Sequence, residues 1–251
     1  MLDFSNYLNG TSQWVLFFLC AVILGMTKTG IQGLGILTVP VFAYLFGAKN
    51  STGILLPIIC FADLMAILYY RTNLKLKNIF RLLPWTLIGL VLALLVDHLI
   101  PATGFKQLMA FCIILGLVVM FWSERKEQIS EITDSYWYAP LFGLMVGFAT
   151  MIGNAAGPIL TVYLLSMRLP KYEFVSTAAW FIMFVNLLKV PLQVFVWDNI
   201  SLEIFLLDLY TIPFLALGAV IGVRLVKIIP EKLFRKLMIV LTVLSTLMLL
   251  L

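Results

Sequence analysis

Three charged side chains lie inside otherwise apolar stretches of the sequence. Lys28 is in GMTKTGIQGLG (residues 25–35), Asp63 in CFADLMAILYY (60–70) and Lys189 in FVNLLKVP (184–191). An ammonium group beside glycine-rich backbone can bind an oxyanion, because glycine lets a ligand approach the main chain closely. A buried carboxylate can pair with such an ammonium group or take up a proton. These residue types suggest an anion site with a proton-binding group beside it.

The composition places these charges in a membrane protein. The 251 residues are 63% hydrophobic and 12% charged, and the mean hydropathy is +1.08. A soluble domain is roughly 45–50% apolar and about 25% charged. The apolar runs are continuous and lack the alternation of barrel strands. We therefore predict an all-α membrane protein with residues 1–251 as a single membrane domain, and we attribute the net charge of +5 to membrane topology rather than to nucleic-acid binding.

Apolar runs broken by glycine or charge predict about ten membrane helical segments, five in each half of the chain. The segments are 13–28, 33–47, 52–70, 82–98, 107–123, 137–152, 156–168, 174–196, 203–223 and 235–251. A helix needs about 20 residues to cross the hydrocarbon core, so the first two segments of each half are short. They are predicted to be half-length or tilted helices that meet at a glycine break, and whether they are re-entrant or fully spanning stays open.

The two halves resemble each other, which predicts a first repeat over 13–123 and a second, inverted repeat over 137–251. The stretch GMTKTGIQGLG aligns with GFATMIGNAAG (147–157), and LPWTLIGLVLALLV (83–96) aligns with IPFLALGAVIGVRLV (212–226). FADL (61–64) aligns with FVNL (184–187). An odd number of crossings in each half inverts the second copy relative to the first.

The charges of the loops agree with this inversion and predict the orientation. The loop at 71–81 is basic while its repeat mate near 197–203 is acidic, and the loop near 224–236 is more basic than its mate at 99–106. Basic loops face the cytoplasm by the positive-inside rule. We therefore predict a multi-pass protein of the cytoplasmic membrane with both termini outside the cytoplasm.

Interrupted helices and midplane polar groups predict an anion site of the kind found in secondary transporters. The N-terminal ends of half-helices carry free amide groups and partial positive charge, which attract anions. The predicted substrate-binding residues are Lys28, Thr29, Gln32, Gly33, Asn154, Gly157, Asn186 and Lys189. The predicted coupling or gating residues are Asp63 and Arg71.

Structural interpretations compete with several of these roles. Lys28 can instead extend to the membrane interface, and Asp63 can form a structural ion pair with Lys28 rather than titrate. Lys189 can bind carbonyl groups freed by Pro191, and Asn154 can cap a helix.

The remaining polar residues favour boundary roles and give no sign of an enzyme. Arg71 ends a segment, where an anchor at the cytoplasmic face competes with a gate, and Asp208 is predicted to face water near the outer interface. The chain has one histidine and three cysteines, and the sequence shows no zinc motif, intramembrane aspartate pair or P-loop. We predict no metal, no cofactor and no enzymatic activity.

The glycine-rich stretches, together with LLPIICFADLMAILYYR (55–71) and TAAWFIMFVNLLKVP (177–191), resemble the sulfite exporter TauE/SafE family over residues 14–251. The resemblance implies transport of a small anion such as sulfite or a sulfonate, driven by an ion gradient such as protons and without ATP. A passive anion channel and a non-transport membrane scaffold are the alternatives. The expected partners are the anionic substrate, the lipid bilayer and protons, while the anion, the direction of transport and a homo-oligomeric state stay open.

Overall fold

The computed structural model describes residues 7–8, 10–32, 34–71, 76–96, 114 and 136–250, and within these ranges the chain forms ten α-helices and no β-strand. The helices are α1 (Thr11–Thr29), α2 (Thr38–Phe46), α3 (Ala48–Tyr70), α4 (Leu76–Val96), α5 (Tyr138–Gly153), α6 (Ala156–Ser166), α7 (Lys171–Phe195), α8 (Leu202–Leu209), α9 (Ile212–Ile228) and α10 (Glu231–Leu250). A 3₁₀ helix at Leu34–Leu37 leads into α2. The all-α class is confirmed for these residues, and the predicted segment 107–123 lies outside them.

Several described helices have the length and composition of membrane spans. Helices α1, α3 and α7 are long and apolar enough to cross a bilayer. Helices α8 and α9 meet the same criteria together, but they are bent by 49° at the break between them. The chain is therefore an integral membrane protein.

The predicted segment over 203–223 coincides with α8 and most of α9, and the bend divides it. The hydroxyl of Thr211 donates to the backbone carbonyl of Asp208 (2.6 Å) at the break. Pro213 follows in the first turn of α9, where a residue without an N–H group is tolerated at a helix start but cannot continue the preceding helix.

The predicted pair of short helices around residue 154 is confirmed. Helix α5 has 16 residues and α6 has 11, so each is shorter than the roughly 20 residues of a full crossing. Asn154 separates them with a left-handed backbone (φ 51°), a conformation that asparagine adopts more readily than most residues.

Helices α1 and α9 touch backbone to backbone through glycines. A Cβ atom at Gly25 would overlap the carbonyl oxygen of Leu215 and crowd Ala219, and one at Gly218 would overlap the carbonyl oxygen of Val22. Small residues at such contacts let membrane helices approach closely. The Thr29 hydroxyl adds hydrogen bonds to the carbonyl oxygens of Gly25 (2.9 Å) and of Ala219 in α9 (3.0 Å).

Helices α4 and α5 form a second close pair. A Cβ atom at Gly89 would overlap the carbonyl oxygen of Leu144, and one at Gly147 would overlap the carbonyl oxygen of Thr86. These are again contacts of glycine with backbone atoms, which cannot turn aside as a flexible side chain can. Both close pairs join a helix of the first half to a helix of the second half.

Helices α3 and α7 pack against each other and carry several of the buried polar side chains, among them Asp63, Asn186 and Lys189. Tyr70, at the end of α3, donates its hydroxyl to the carbonyl oxygen of Thr29 (2.8 Å). Ser176 of α7 donates to the carbonyl oxygen of Tyr70 (2.9 Å). The ends of α1 and α3 and the first turns of α7 are thereby joined on the side predicted to face the cytoplasm.

The Gly147→Ala substitution is expected to destabilise the protein, although alanine favours helices more than glycine does. The added methyl group would overlap the Thr86 carbonyl oxygen and lie 2.9 Å from the Leu90 nitrogen. Overpacking of this kind costs roughly 1–3 kcal/mol, which a thermal unfolding curve in detergent can measure. Gly157→Ala is the control, because a Cβ atom at Gly157 meets nothing within 4 Å; equal stability of the two variants would contradict the contact.

Candidate functional site

Lys28, Asp63 and Asn186 form a buried polar cluster contributed by three helices. Lys28, in the last turn of α1, places its Nζ 2.9 Å from Oδ1 of Asp63 in the middle of α3. Asn186 of α7 donates its Nδ2 to the other carboxylate oxygen at 3.0 Å. The Asp63 side chain is fully buried, whereas the Lys28 side chain keeps 16% of its surface exposed. The predicted Lys28–Asp63 pair is confirmed, and part of the Lys28 side chain stays exposed beside it.

Lys189 supplies a second ammonium group, which is fully buried on α7. Its Nζ donates to the carbonyl oxygen (2.6 Å) and hydroxyl (3.2 Å) of Thr150 and to Oδ1 of Asn154 (2.5 Å). Among the described residues no carboxylate lies within ion-pair distance of this nitrogen. The charge is held by the C-terminal end of α5, where the helix dipole favours a cation, and not by carbonyl groups near Pro191.

Asn154 connects the break between α5 and α6 to two other helices. Its side-chain oxygen accepts from Lys189, and its Nδ2 donates to the carbonyl oxygen of Thr52 in α3 (3.2 Å). Its backbone nitrogen donates to the carbonyl oxygen of Thr150 (3.1 Å) and closes the last turn of α5. Asn154 therefore ends helix α5 through its main chain, while its side chain joins Lys189 to α3; contact with an anion stays a prediction.

A cavity of about 70 Å³ lies where these elements meet, and we call it the central cavity. The first half of the chain contributes Lys28, Gln32 and Asp63 to its lining, and the second half contributes Thr150, Asn154, Gly157 and Asn186. A single water needs roughly 10–15 Å³ measured in the same way. The central cavity therefore has room for a few waters or one small oxyanion, beside an ammonium group and several amide and hydroxyl groups.

Six of the predicted site residues line the central cavity: Lys28, Gln32, Asp63, Asn154, Gly157 and Asn186. Lys189 lies behind the lining and contacts it through Thr150 and Asn154. Arg71 is exposed after the end of α3 and does not line the cavity. Gly33 lies outside the described residues.

The structure places Thr27, rather than the predicted Thr29, at the central cavity. Residues two apart on a helix point to nearly opposite sides, and the hydroxyl of Thr29 is turned toward α9. The Thr27 hydroxyl is buried and has no hydrogen-bond partner among the described residues. An unpaired buried hydroxyl lining a cavity is a candidate ligand contact. The two threonines flank Lys28 symmetrically, so the sequence carries no signal that distinguishes them.

Asp208 is not the water-facing residue that its position near a segment end suggested. Its side chain is fully buried, and neither carboxylate oxygen has a hydrogen-bond partner among the described residues. Ile204 and Leu207 are buried with it on the inner side of α8. The bend after α8 orients this short helix, and a sequence read as one straight segment does not reveal that orientation.

The described residues contain no group of histidine, cysteine, aspartate or glutamate side chains that could hold a metal ion. The site is instead built from ammonium, amide and hydroxyl donors around a single carboxylate. This donor set favours the binding of an anion through hydrogen bonds and charge.

Comparison with known proteins agrees with this arrangement. No curated protein and no solved structure gives a significant match to the chain. The profile of the family described as sulfite exporter TauE/SafE matches residues 16–249, which is nearly the whole sequence. The chain therefore belongs to the sulfite exporter TauE/SafE family.

Proposed function

We propose that the protein is a secondary transporter that carries a small sulfur oxyanion, such as sulfite or a sulfonate, across the cytoplasmic membrane through the central cavity. Membership of the TauE/SafE family indicates a membrane transporter of sulfur-containing anions rather than an enzyme. The observation that carries the proposal is the partly exposed side chain of Lys28, which lines the central cavity together with Asn154 and Asn186.

The charge of the site favours an anion, and a monoanion while Asp63 is ionised. With both ammonium groups protonated, Lys28 and Lys189 outnumber the single carboxylate of Asp63, which leaves one excess positive charge. Ionisable groups inside a membrane are costly unless they are paired or functional. An oxyanion with one negative charge would balance the cluster and would accept hydrogen bonds from the donors around the cavity.

The proposed mechanism uses two inverted halves that alternate access to the central cavity.

The predicted alignment pairs Gly25 with Gly147 and Gly218 with Gly89, and the contacts of these glycines correspond. Gly25 abuts Leu215 and Ala219, and Gly147 abuts their aligned residues Thr86 and Leu90. Gly218 abuts Val22 and Met26, and Gly89 abuts their aligned residues Leu144 and Phe148. The recurrence of the same contacts supports the repeat.

Coupling to a proton gradient is proposed through Asp63. Burial favours the neutral form of a carboxyl group, and a protonated Asp63 would no longer hold Lys28 by charge. Lys28 would then be free to bind the anion. Proton uptake and anion binding would thus occur on the same cluster, which is the requirement for coupled movement.

A passive anion channel is the second candidate, because it would use the same positive lining. A channel needs a continuous water-filled path through the protein. The Tyr70–Thr29 hydrogen bond lies on one side of the central cavity along α3, and the Asn154–Thr52 hydrogen bond lies on the other. These contacts argue against such a path. Purified protein in liposomes tests the choice with labelled sulfite. Saturating flux with trans-stimulation is expected of a carrier; linear flux without trans-stimulation would favour a channel, and no anion flux would favour a scaffold.

Gly157→Leu is expected to block transport while the protein stays folded. Gly157 lines the central cavity, and a Cβ atom there meets nothing within 4 Å, so a larger side chain would grow into the space that the anion needs. We expect sulfite flux to fall about tenfold or more, which is about 1.4 kcal/mol. Gly157→Ala is the matched control, and wild-type flux in the leucine variant would remove this cavity from the route.

A further inference from the structure

A stripe of buried polar side chains continues along α7 beyond the central cavity. Asn186, Lys189 and Gln193 follow each other at intervals of three and four residues, which places them on one face of the helix. None is more than 2% exposed. Polar side chains inside a membrane protein are costly unless they are paired or functional, and the third of them takes no part in the site described above.

Gln193 has a free donor in a buried position. Its Oε1 accepts a hydrogen bond from Nδ2 of Asn199 (3.1 Å), whereas its Nε2 has no hydrogen-bond partner among the described residues. The side chain is fully buried. A buried amide group left without an acceptor costs free energy, so a ligand that brings an acceptor oxygen would satisfy it.

Gln193 lies between two cavities. Asn186 lines the central cavity, and Gln193 is two turns of α7 further along, about 10 Å by the rise of 1.5 Å per residue. Asn199, which contacts Gln193, lines a second cavity of about 370 Å³ together with Asn50, Asp198 and Ser201. This second cavity lies on the side predicted to face out of the cell.

Two contacts of α3 lie between the first residue of this helix that lines the second cavity and those that line the central cavity. Asn154 donates to the carbonyl oxygen of Thr52, and the next residue, Gly53, abuts the carbonyl oxygen of Asn199 so closely that a Cβ atom would overlap it. Both contacts hold α3 against the elements around Gln193. A ligand reaches the free amide only when this side opens.

We propose that Gln193 is a second anion-contact residue, which receives the oxyanion from the central cavity through its Nε2 group as the protein opens toward the second cavity. The inference rests on the proposed transport function and adds a second binding position to the path of the anion. A neutral amide binds an oxyanion more weakly than an ammonium group does, so it can accept the anion and release it. Asp198 lines the second cavity and repels an anion, which favours release on this side.

Gln193→Glu tests the proposal with little change of shape. The glutamate keeps an oxygen that can accept from Asn199, but it replaces the free donor by a negatively charged acceptor. We expect sulfite counterflow in liposomes to fall about tenfold or more, while equilibrium binding of sulfite, measured by calorimetry in detergent, stays within about twofold of wild type. Gln193→Met, which removes the donor without adding charge, should also slow counterflow and decides the question if the glutamate variant does not fold.

The outcomes separate this inference from the proposed function. The control is Thr86→Val, a buried substitution in α4 at a hydroxyl that bonds within its own helix, and it should transport normally. Counterflow at the wild-type rate in both Gln193 variants would overturn the assignment, as would a loss of sulfite binding equal to the loss of flux. A wild-type protein that neither binds nor carries sulfite or a sulfonate would refute the proposed function and this inference with it.

Discussion

Lys28→Ala is expected to abolish sulfite transport and to lower the stability of the protein. The substitution removes the ammonium group that faces the central cavity and leaves the carboxylate of Asp63 with Asn186 as its remaining partner. Breaking a buried ion pair by removing one partner costs roughly 3–5 kcal/mol. We expect the lower end of that range, because 16% of the Lys28 side chain is exposed. Thermal unfolding and liposome flux measure the two effects separately.

A double substitution separates the structural role of Lys28 from its role in binding. In Lys28→Met/Asp63→Leu neither charge is left without a partner, and replacing both partners of a buried pair by apolar groups is often neutral or stabilising. Stability should therefore return toward wild type while transport stays absent. Full transport in Lys28→Ala, or in the double variant, would show that the pair is purely structural.

Asp63→Asn is expected to uncouple transport from the proton gradient. Asparagine has nearly the shape of a protonated aspartate and cannot hold Lys28 by charge, so the variant should resemble the protonated, anion-binding form. Exchange of sulfite between the two sides should persist, whereas accumulation driven by a proton gradient should be lost. Retained accumulation in this variant would rule out Asp63 as the coupling group.

The pH dependence of binding gives a second readout of the same substitution. In the wild type, protonation of Asp63 as the pH falls removes the carboxylate that competes for Lys28, so affinity for the anion should rise. We expect this gain to appear as the pH of the binding assay is lowered from the alkaline to the acid side. A sulfonate is the suitable ligand, because its own charge is constant over this range. Asp63→Asn should bind with an affinity that changes little with pH, and Glu203→Gln, at an exposed position near the second cavity, is the control.

The sequence predicted the membrane helices and the centre of the site because their signals are local. Long apolar runs, a glycine break around Asn154 and isolated charges such as Lys28 and Asp63 each stand out in a short window. A carboxylate and an ammonium group buried in lipid need a partner, which was enough to predict their pairing. The short helices α5 and α6 followed from a run too brief for two crossings.

The details that failed depend on contacts between distant parts of the chain. The choice of Thr27 over Thr29 depends on how α1 is rotated against α9, which Gly25 and Gly218 determine by their backbone contacts. The burial of Asp208 depends on the bend that turns α8. The free amide donor of Gln193 depends on Asn199, which follows the end of α7 and donates to Oε1 of Gln193. None of these is visible in the apolar pattern of one segment.

The glycine contacts also restrict how the protein can move. Where two backbones touch without side chains between them, one helix cannot slide along the other without steric overlap. The α1–α9 pair and the α4–α5 pair should therefore each move as one rigid unit. In the first pair, the hydroxyl of Thr29 in α1 also donates a hydrogen bond to the carbonyl oxygen of Ala219 in α9. We propose that opening toward either face of the membrane is a tilting of these two helix pairs relative to α3 and α7. A ligand bound between Lys28 of the first pair and Asn154 at the end of the second would then be transferred from one side to the other as the pairs tilt.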